Sequence, residues 1–170
     1  MTVSKDETAT SLTVKATCDT KNATATVTVK PALPAATATV GDGTKKFQVG
    51  KEITLWYPEV LIITITENGP VFVNDEFNGN YDATDWIVNL PKGLKATITQ
   101  ESNDTAASVG IRIYGIPEEE VTESVWKFNK IPGNLIIDNT NQVDVTKEIT
   151  VTENENAKFV VTAADPDPGA

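Results

Sequence analysis

The residues best placed to do chemistry lie in the polar segment NDEFNGNYDATD, residues 74–85. Counted from Asn74, oxygen-bearing side chains occupy positions 1, 3, 5, 7, 9 and 12, and Gly79 occupies position 6. A calcium loop of the helix–loop–helix type places its ligands and its glycine at these positions. The side chains that would bind the ion are Asn74, Glu76, Asn78, Asn80, Asp82 and Asp85.

A polar loop between two strands explains the same segment. Its first position is Asn where Asp is usual, and its twelfth is Asp where a bidentate Glu is usual. No helical pattern flanks it. We therefore expect no cofactor, and calcium is the one ion for which the sequence offers a set of ligands.

The chain has no His and a single Cys, Cys18. The commonest general base and the commonest metal ligand are therefore missing, and no Cys–His pair can form. The acidic run Glu118–Glu120 is typical of a solvated face rather than of two carboxylates opposed across a cleft. We predict that the protein is not an enzyme and that Cys18 is a small buried residue at a strand end.

The formal net charge is −10 and the isoelectric point is about 4.4. Such a surface repels a phosphate backbone, so we expect no binding to nucleic acid. The longest apolar run is Val60–Ile63, far short of the roughly 18 residues of a membrane span. We therefore expect no membrane insertion.

The chain contains 25 Thr, many of them alternating with Val, Ile or Ala. Residues branched at Cβ favour strands, and alternation with a period of two is typical of a half-buried sheet. Ser11–Thr17 and Ala23–Val29 alternate on either side of Asp19–Asn22, which predicts a β-hairpin. The prolines in Lys30–Pro34 then interrupt the pattern and predict a linker.

Short alternating runs separated by Gly, Pro and Asn turns continue through the rest of the chain. Strands spaced in this way predict an all-β fold, an antiparallel β-sandwich at residues 32–165 followed by a linker or frayed tail at residues 166–170. Trp56, Trp86 and Trp126 each lie in a predicted strand. We predict that these large side chains fill the core, and sugar stacking or an interface is the alternative.

Two short motifs resemble bacterial immunoglobulin-like surface-protein repeats. LPKGL at 90–94 and GIRIYGIP at 110–117 resemble the pattern L-P-x-G-L followed by G-x-I-x-G-x-P in those repeats. The match departs at Ile116, where such repeats usually carry Thr. The matching residues are Leu90, Pro91, Gly93, Leu94, Gly110, Ile113, Gly115 and Pro117.

The resemblance implies an immunoglobulin-like sandwich whose motif residues specify a corner of the fold. The predicted hairpin, in residues 1–31, resembles the final hairpin of such a domain. It would then be the tail of a preceding immunoglobulin-like unit, or extra strands packed on the main domain in cis or in trans.

The implied function is that of a non-enzymatic structural or adhesive module, extracellular or on a cell surface. Its partners would be neighbouring domains or subunits, with a glycan or a host protein as candidate ligand. One alternative is a subunit of an assembly, a virion decoration protein or a filament subunit that uses strand exchange. The other is a carbohydrate-binding module that stacks sugars on exposed Trp and on Tyr57, Tyr81 and Tyr114.

Overall fold

The structure of the chain is a computed structural model. It describes residues 9–30, 32–53, 60–66, 72–77, 81–103, 106–137 and 142–166. The chain divides into two compact units, Met1–Pro34 and Ala35–Ala170. The all-β class predicted from the alternation is confirmed, because the only helices in the described residues are three short 3-10 turns.

The first unit contains the predicted hairpin. Strands β1 (Ser11–Cys18) and β2 (Lys21–Thr28) pair antiparallel over their whole length. Asp19 takes a φ of 52° in the turn between them, a conformation that Asp tolerates better than most residues. Cys18 is exposed, so the prediction that it is buried is wrong, because it lies beside the turn at the end of β1.

The second unit consists of ten described strands and three 3-10 helices, Asp75–Phe77, Thr84–Trp86 and Gly133–Leu135. The strands are β3 (Thr37–Val40), β4 (Gly43–Gln48), β5 (Val60–Thr66), β6 (Phe72–Val73), β7 (Leu94–Asn103), β8 (Ala106–Gly115), β9 (Val121–Val125), β10 (Ile136–Ile137), β11 (Thr150–Thr152) and β12 (Ala157–Thr162). A five-stranded sheet has the order β11-β3-β5-β8-β7, and a three-stranded sheet has the order β4-β12-β9. A small sheet pairs β6 with β10.

Two of the strand pairs are parallel, so the prediction of an antiparallel sandwich is wrong at these places. Strand β11 runs parallel to β3, and β12 runs parallel to β4. All other pairs in these two sheets are antiparallel. Alternation shows which face of a strand is buried, but it carries no information on the direction of a neighbour that is distant in the chain.

The first segment of the second unit takes part in both sheets. Strand β3 pairs with β5, and after a break at Gly41–Asp42 strand β4 pairs with β12. The break is held on both sides, because Gly41 N donates to Ile62 O at 2.9 Å and Gly43 N donates to Asn156 O at 3.3 Å. The Asn154 side chain also donates to Val40 O at 3.2 Å. These hydrogen bonds fix the point at which the chain crosses from the five-stranded sheet to the three-stranded sheet.

The inward positions of both sheets belong to one apolar core cluster. Leu61, Ile63 and Ile65 of β5 and Val109, Ile111 and Ile113 of β8 are buried at every second position, as the period-two pattern requires. Ala157, Phe159 and Val161 of β12 are equally buried and belong to the same cluster. Each large aliphatic or aromatic side chain buried here contributes about 1.5–3 kcal/mol to the free energy of unfolding.

The strand predicted at Trp86–Leu90 is absent. Residues Thr84–Trp86 form a 3-10 helix, and Ile87 makes a single bridge to Phe128. Asp82 Oδ1 accepts the N–H of Thr84 at 2.9 Å, which starts a turn where the alternation predicts an extended segment.

Candidate functional site

The two halves of the resemblance motif lie side by side at one end of β7 and β8. Leu94 is paired with Gly115 at the end of the β7–β8 ladder. Across the junction, Ile116 N donates to Gly93 O at 3.2 Å and Glu118 N donates to Lys92 O at 3.0 Å. The structure therefore brings residues 90–94 and 115–117 together into one corner, whereas residues 110–114 pair with residues 95–99 along the ladder.

The corner is closed by a tight turn and an ion pair. Leu94 N donates to Pro91 O at 3.1 Å, which closes the turn. Lys92 Nζ lies 2.9 Å from a Glu118 carboxylate oxygen, and this ion pair raises the pKa of Lys92. Both side chains are exposed, so the pair contributes little to stability.

Two glycines make the corner feasible. Gly93 has a φ of +85° and Gly115 a φ of +117°, a region of backbone conformation that L side chains rarely adopt. A Cβ on Gly93 would lie 2.0 Å from Ile116 O, and a Cβ on Gly115 would lie 2.4 Å from Gly93 O. Gly93 and Gly115 therefore permit the close approach of the two backbone segments that meet at the corner.

The other motif residues are buried to different extents, and Gly110 and Ile113 lie away from the corner, paired with Thr99 and Ala96. Leu94, Gly110, Ile113 and Pro117 are buried, and Leu90 is partly buried against the core. The carbonyls of Gly115 and Pro117 accept the N–H groups of Ile53 and Gly50, both at 2.9 Å. The corner thus also binds the segment that follows β4. The residues of the corner position the backbone rather than reactive groups.

Trp86 and Trp126 belong to the core cluster, with 5% and 0% of their surface exposed. Trp126 packs against Phe159, with ring centroids 4.6 Å apart. Trp56 lies outside the described residues.

Of the tyrosines predicted as a sugar platform, Tyr81 and Tyr114 lie on different elements. Tyr81 packs between Phe77 and Trp86, with ring centroids 4.5 and 5.6 Å away, and is partly buried against the core. Tyr114 lies in β8 opposite Lys95 and is half-buried. Tyr57 lies outside the described residues, so the described part of the chain holds no row of stacking side chains.

The candidate calcium segment is described only in part. Asn78, Gly79 and Asn80 lie outside the described residues, so the calcium site remains a prediction. Asn74 Oδ1 accepts the N–H of Glu76 at 3.2 Å, and its Nδ2 donates to Asn134 O at 3.3 Å. Asp85 is exposed. No group of three or more Cys, Asp or Glu in the described ranges is arranged to hold a metal ion.

Asp82 is used by the fold itself. Its carboxylate accepts hydrogen bonds from the hydroxyl and the N–H of Thr84, and with a smaller effect of Lys95 these lower its pKa below the usual 3.8. The hydroxyl of Thr84 in turn accepts the N–H of Ala96 at 3.0 Å. Asp82 therefore anchors the segment that lies along the outer edge of β7.

This anchoring predicts an acid-dependent loss of stability. A lowered folded-state pKa means that the contribution is complete above pH 3.8 and is lost as pH falls through the folded pKa. Asp82→Asn keeps an oxygen for Thr84 but does not titrate. We expect wild type to lose stability relative to Asp82→Asn as pH falls below about 4 in EDTA, measured by urea unfolding. A constant difference between pH 6 and pH 3 would contradict this role.

A structural clamp that the sequence did not reveal joins Asn89 to the end of β9. Asn89 Nδ2 donates to Ser124 Oγ at 2.9 Å and to Val125 O at 2.7 Å, and Lys127 N donates to Asn89 Oδ1 at 2.9 Å. The only signal in the sequence is an Asn directly before the Leu-Pro turn, which is too common to identify a clamp.

Three surface pockets have volumes of about 410–480 Å³. Two adjoin the end of β4, and Gln48 and Lys51 line both of them. The third lies beside the Gly133–Leu135 helix. Each is lined by one carboxylate, from Glu52, Asp165 and Glu148 respectively, so none of the three presents two opposed acids.

No family model, curated protein or solved structure matches this chain. No helix in the described ranges is long and apolar enough to cross a membrane.

Proposed function

We propose that the second unit is a non-enzymatic immunoglobulin-like module of an extracellular or cell-surface protein. In this role it holds neighbouring domains apart, displays its loops, or adheres to a ligand. Its partners are neighbouring domains, with a glycan or a host protein as ligand of its loops. One observation carries the proposal, the strand order β3-β5-β8-β7 beside a second sheet that contains β9 and β12.

The strand order supports this proposal because the order of one sheet is the order of the first sheet of an immunoglobulin domain. In the constant-type domain one sheet has the order A-B-E-D, and the other contains C, F and G. Taking β3 as A, β5 as B, β7 as D and β8 as E reproduces the first sheet, and β9 and β12 take the places of F and G. Four features differ from that scheme. Strand β11 is added beside β3, β4 pairs with β12, β6 pairs with β10, and no described strand takes the place of C beside β9.

The parallel pair β4–β12 supports a mechanical role. It joins the first and last segments of the second unit through six residue pairs, from Gly43–Ala157 to Gln48–Thr162. Tension between the two ends of the unit pulls the start of β4 and the end of β12 in opposite directions. In parallel strands this loads the hydrogen bonds together in shear rather than one after another.

Single-molecule pulling in two directions tests this role. In a Cys18→Ala background, one variant carries attachment cysteines at Ala35 and Ala164, which load β4–β12 in shear. A matched variant carries them at Thr44 and Glu155, next to the same end of both strands, which unzips the pair. We expect the shear direction to require a several-fold higher unfolding force. Equal forces in the two directions would overturn the mechanical proposal.

A subunit that uses strand exchange is the second candidate, favoured by the hairpin. No other strand in the described residues pairs with the outer edge of β1 or β2, and both strands are regular along their length. Light scattering measures the mass of the 18.3 kDa chain in solution and distinguishes the surface module from the strand-exchanging subunit. A concentration-dependent oligomer favours exchange, and a monomer at all concentrations favours the module.

A further inference from the structure

The hairpin has one apolar face. In its antiparallel register Leu12 lies opposite Val27, Val14 opposite Ala25, and Ala16 opposite Ala23. Residues opposite each other in an antiparallel pair point to the same side of the ribbon. These six side chains form what we call the closing face. The other side carries mainly hydroxyl groups, from Ser11, Thr13, Thr17, Thr24, Thr26 and Thr28.

Five of the six side chains of the closing face are exposed, and Leu12 is half-buried. Val14 and Val27 are 36% and 37% exposed, and the three alanines of the face are also exposed. A two-stranded hairpin alone is marginally stable in water and needs a packing partner on its apolar side. The exposed apolar side chains of this face therefore leave the hairpin without the packing that its stability requires.

The second unit contains a strand, β12, whose sequence is similar to that of β2 and whose apolar face is buried. Asn22–Thr28 reads NATATVT and Asn156–Thr162 reads NAKFVVT, identical at the first, second, sixth and seventh positions. In β12 the residues Ala157, Phe159 and Val161 are no more than 2% exposed. They correspond to Ala23, Ala25 and Val27, which are half of the closing face.

The surroundings of the two strands agree in part, although β12 also pairs with β4 and β2 pairs only with β1 in the described residues. Strand β12 pairs antiparallel with β9, as β2 does with β1. Both strands are followed within a few residues by proline, Pro31 after β2 and Pro166 after β12. The stretch after β2 leads directly into β3, the first strand of the second unit.

We infer that β1 and β2 are the last two strands of another unit built like the second one. Its missing part is a β-sheet with an aliphatic inner face, carried elsewhere in the same gene product. Because Ala25 stands where β12 has Phe159, that sheet carries a larger side chain opposite Ala25. This inference rests on the proposed modular function and adds that the modules follow one another directly through Lys30–Pro34.

Amide hydrogen exchange tests the inference on the 170-residue chain and on the product of the complete gene. In the short chain we expect β1 and β2 to exchange almost without protection, whereas β5 and β8 are strongly protected. In the complete product we expect the hairpin amides to be protected at least about a hundredfold more, as in a closed core.

A matched pair of variants tests which face is covered. Val14→Lys places a charge on the closing face, and Thr13→Lys places it on the hydroxyl side of the same strand. In the complete product we expect Val14→Lys to reduce hairpin protection at least about tenfold and Thr13→Lys to leave it within about twofold.

Four results would overturn the inference: a complete gene that encodes no second β-sheet unit, unprotected hairpin amides in its product, equal effects of the two lysines, or a dimer of the short chain that Val14→Lys alone abolishes. The last would show that a second copy covers the face. None of these results alters the pulling behaviour of the second unit, so this inference and the proposed function fail separately.

Discussion

Replacing Trp126 with alanine is expected to lower the free energy of unfolding of the second unit by about 3–5 kcal/mol. The side chain is fully buried and packs on Phe159 of β12. Its removal leaves a large cavity between β9, which ends at Val125, and the strand that closes the core. Urea unfolding followed by circular dichroism measures the change.

Trp126→Phe is the control that separates packing from hydrogen bonding. The indole Nε1 is buried and makes no hydrogen bond with the described part of the protein. Phenylalanine removes that unsatisfied donor and loses only part of the volume, so we expect a cost below about 1.5 kcal/mol. A loss for Trp126→Phe as large as that for Trp126→Ala would show that the indole N–H has a partner and that our account of this side chain is wrong.

Replacing Gly93 with alanine is expected to cost more than about 3 kcal/mol, because two penalties combine. The φ of +85° is unfavourable for alanine, and the new Cβ would lie 2.0 Å from the carbonyl oxygen of Ile116. That oxygen belongs to backbone, so it can move only if the corner between β7 and β8 opens. Thermal and urea unfolding measure the loss.

Two other glycines provide controls for Gly93. Gly50 has a φ of +77° but no atom within 4 Å of a Cβ, so Gly50→Ala should cost about 1–2 kcal/mol from backbone strain alone. A Cβ on Gly41 would make only ordinary contacts at 3.5 Å and 3.8 Å, so Gly41→Ala should be within about 1 kcal/mol of wild type. Equal costs at Gly93 and Gly50 would mean that the corner is not tightly packed.

Local features of the fold were predictable because they depend on neighbouring residues. Alternation predicted the hairpin, and the buried positions of β5 and β8 follow the same period. Leu94 and Gly115 lie far apart in the chain, and only the resemblance to surface-protein repeats placed their motifs in one corner.

Other features depend on long-range contacts that the pattern does not encode. The directions of β11 and β12 relative to β3 and β4 are examples, since either direction buries the same side chains. The turn at Thr84–Trp86 was missed because Asp82 and Asn89 replace a strand with hydrogen bonds between side chain and backbone. Exposure of Cys18 was missed for the opposite reason, because alternation does not reveal whether anything covers an apolar face.

The candidate calcium ligands show a further limit of the sequence. Spacing placed Asn74 and Asp82 in one coordination set, yet the oxygens of both accept backbone N–H groups two residues further on. Asx and Ser/Thr turns require the same residue types as a calcium loop, so spacing alone does not separate the two.

The most direct test of the mechanical account is a proline pair in β4. Gly43 and Val49 donate their N–H groups to Asn156 O and Thr162 O. Because the pattern alternates along a parallel strand, the N–H of Lys45 also points at β12 and that of Lys46 points away. Lys45→Pro therefore removes a bond of the β4–β12 pair and Lys46→Pro does not, with Lys45→Ala as control for the lost side chain.

The measurement is single-molecule pulling on the two ends of the second unit. We predict a clearly lower unfolding force for Lys45→Pro than for wild type, Lys46→Pro or Lys45→Ala. An unfolding force for Lys45→Pro equal to that of Lys46→Pro would contradict the claim that this strand pair bears the load.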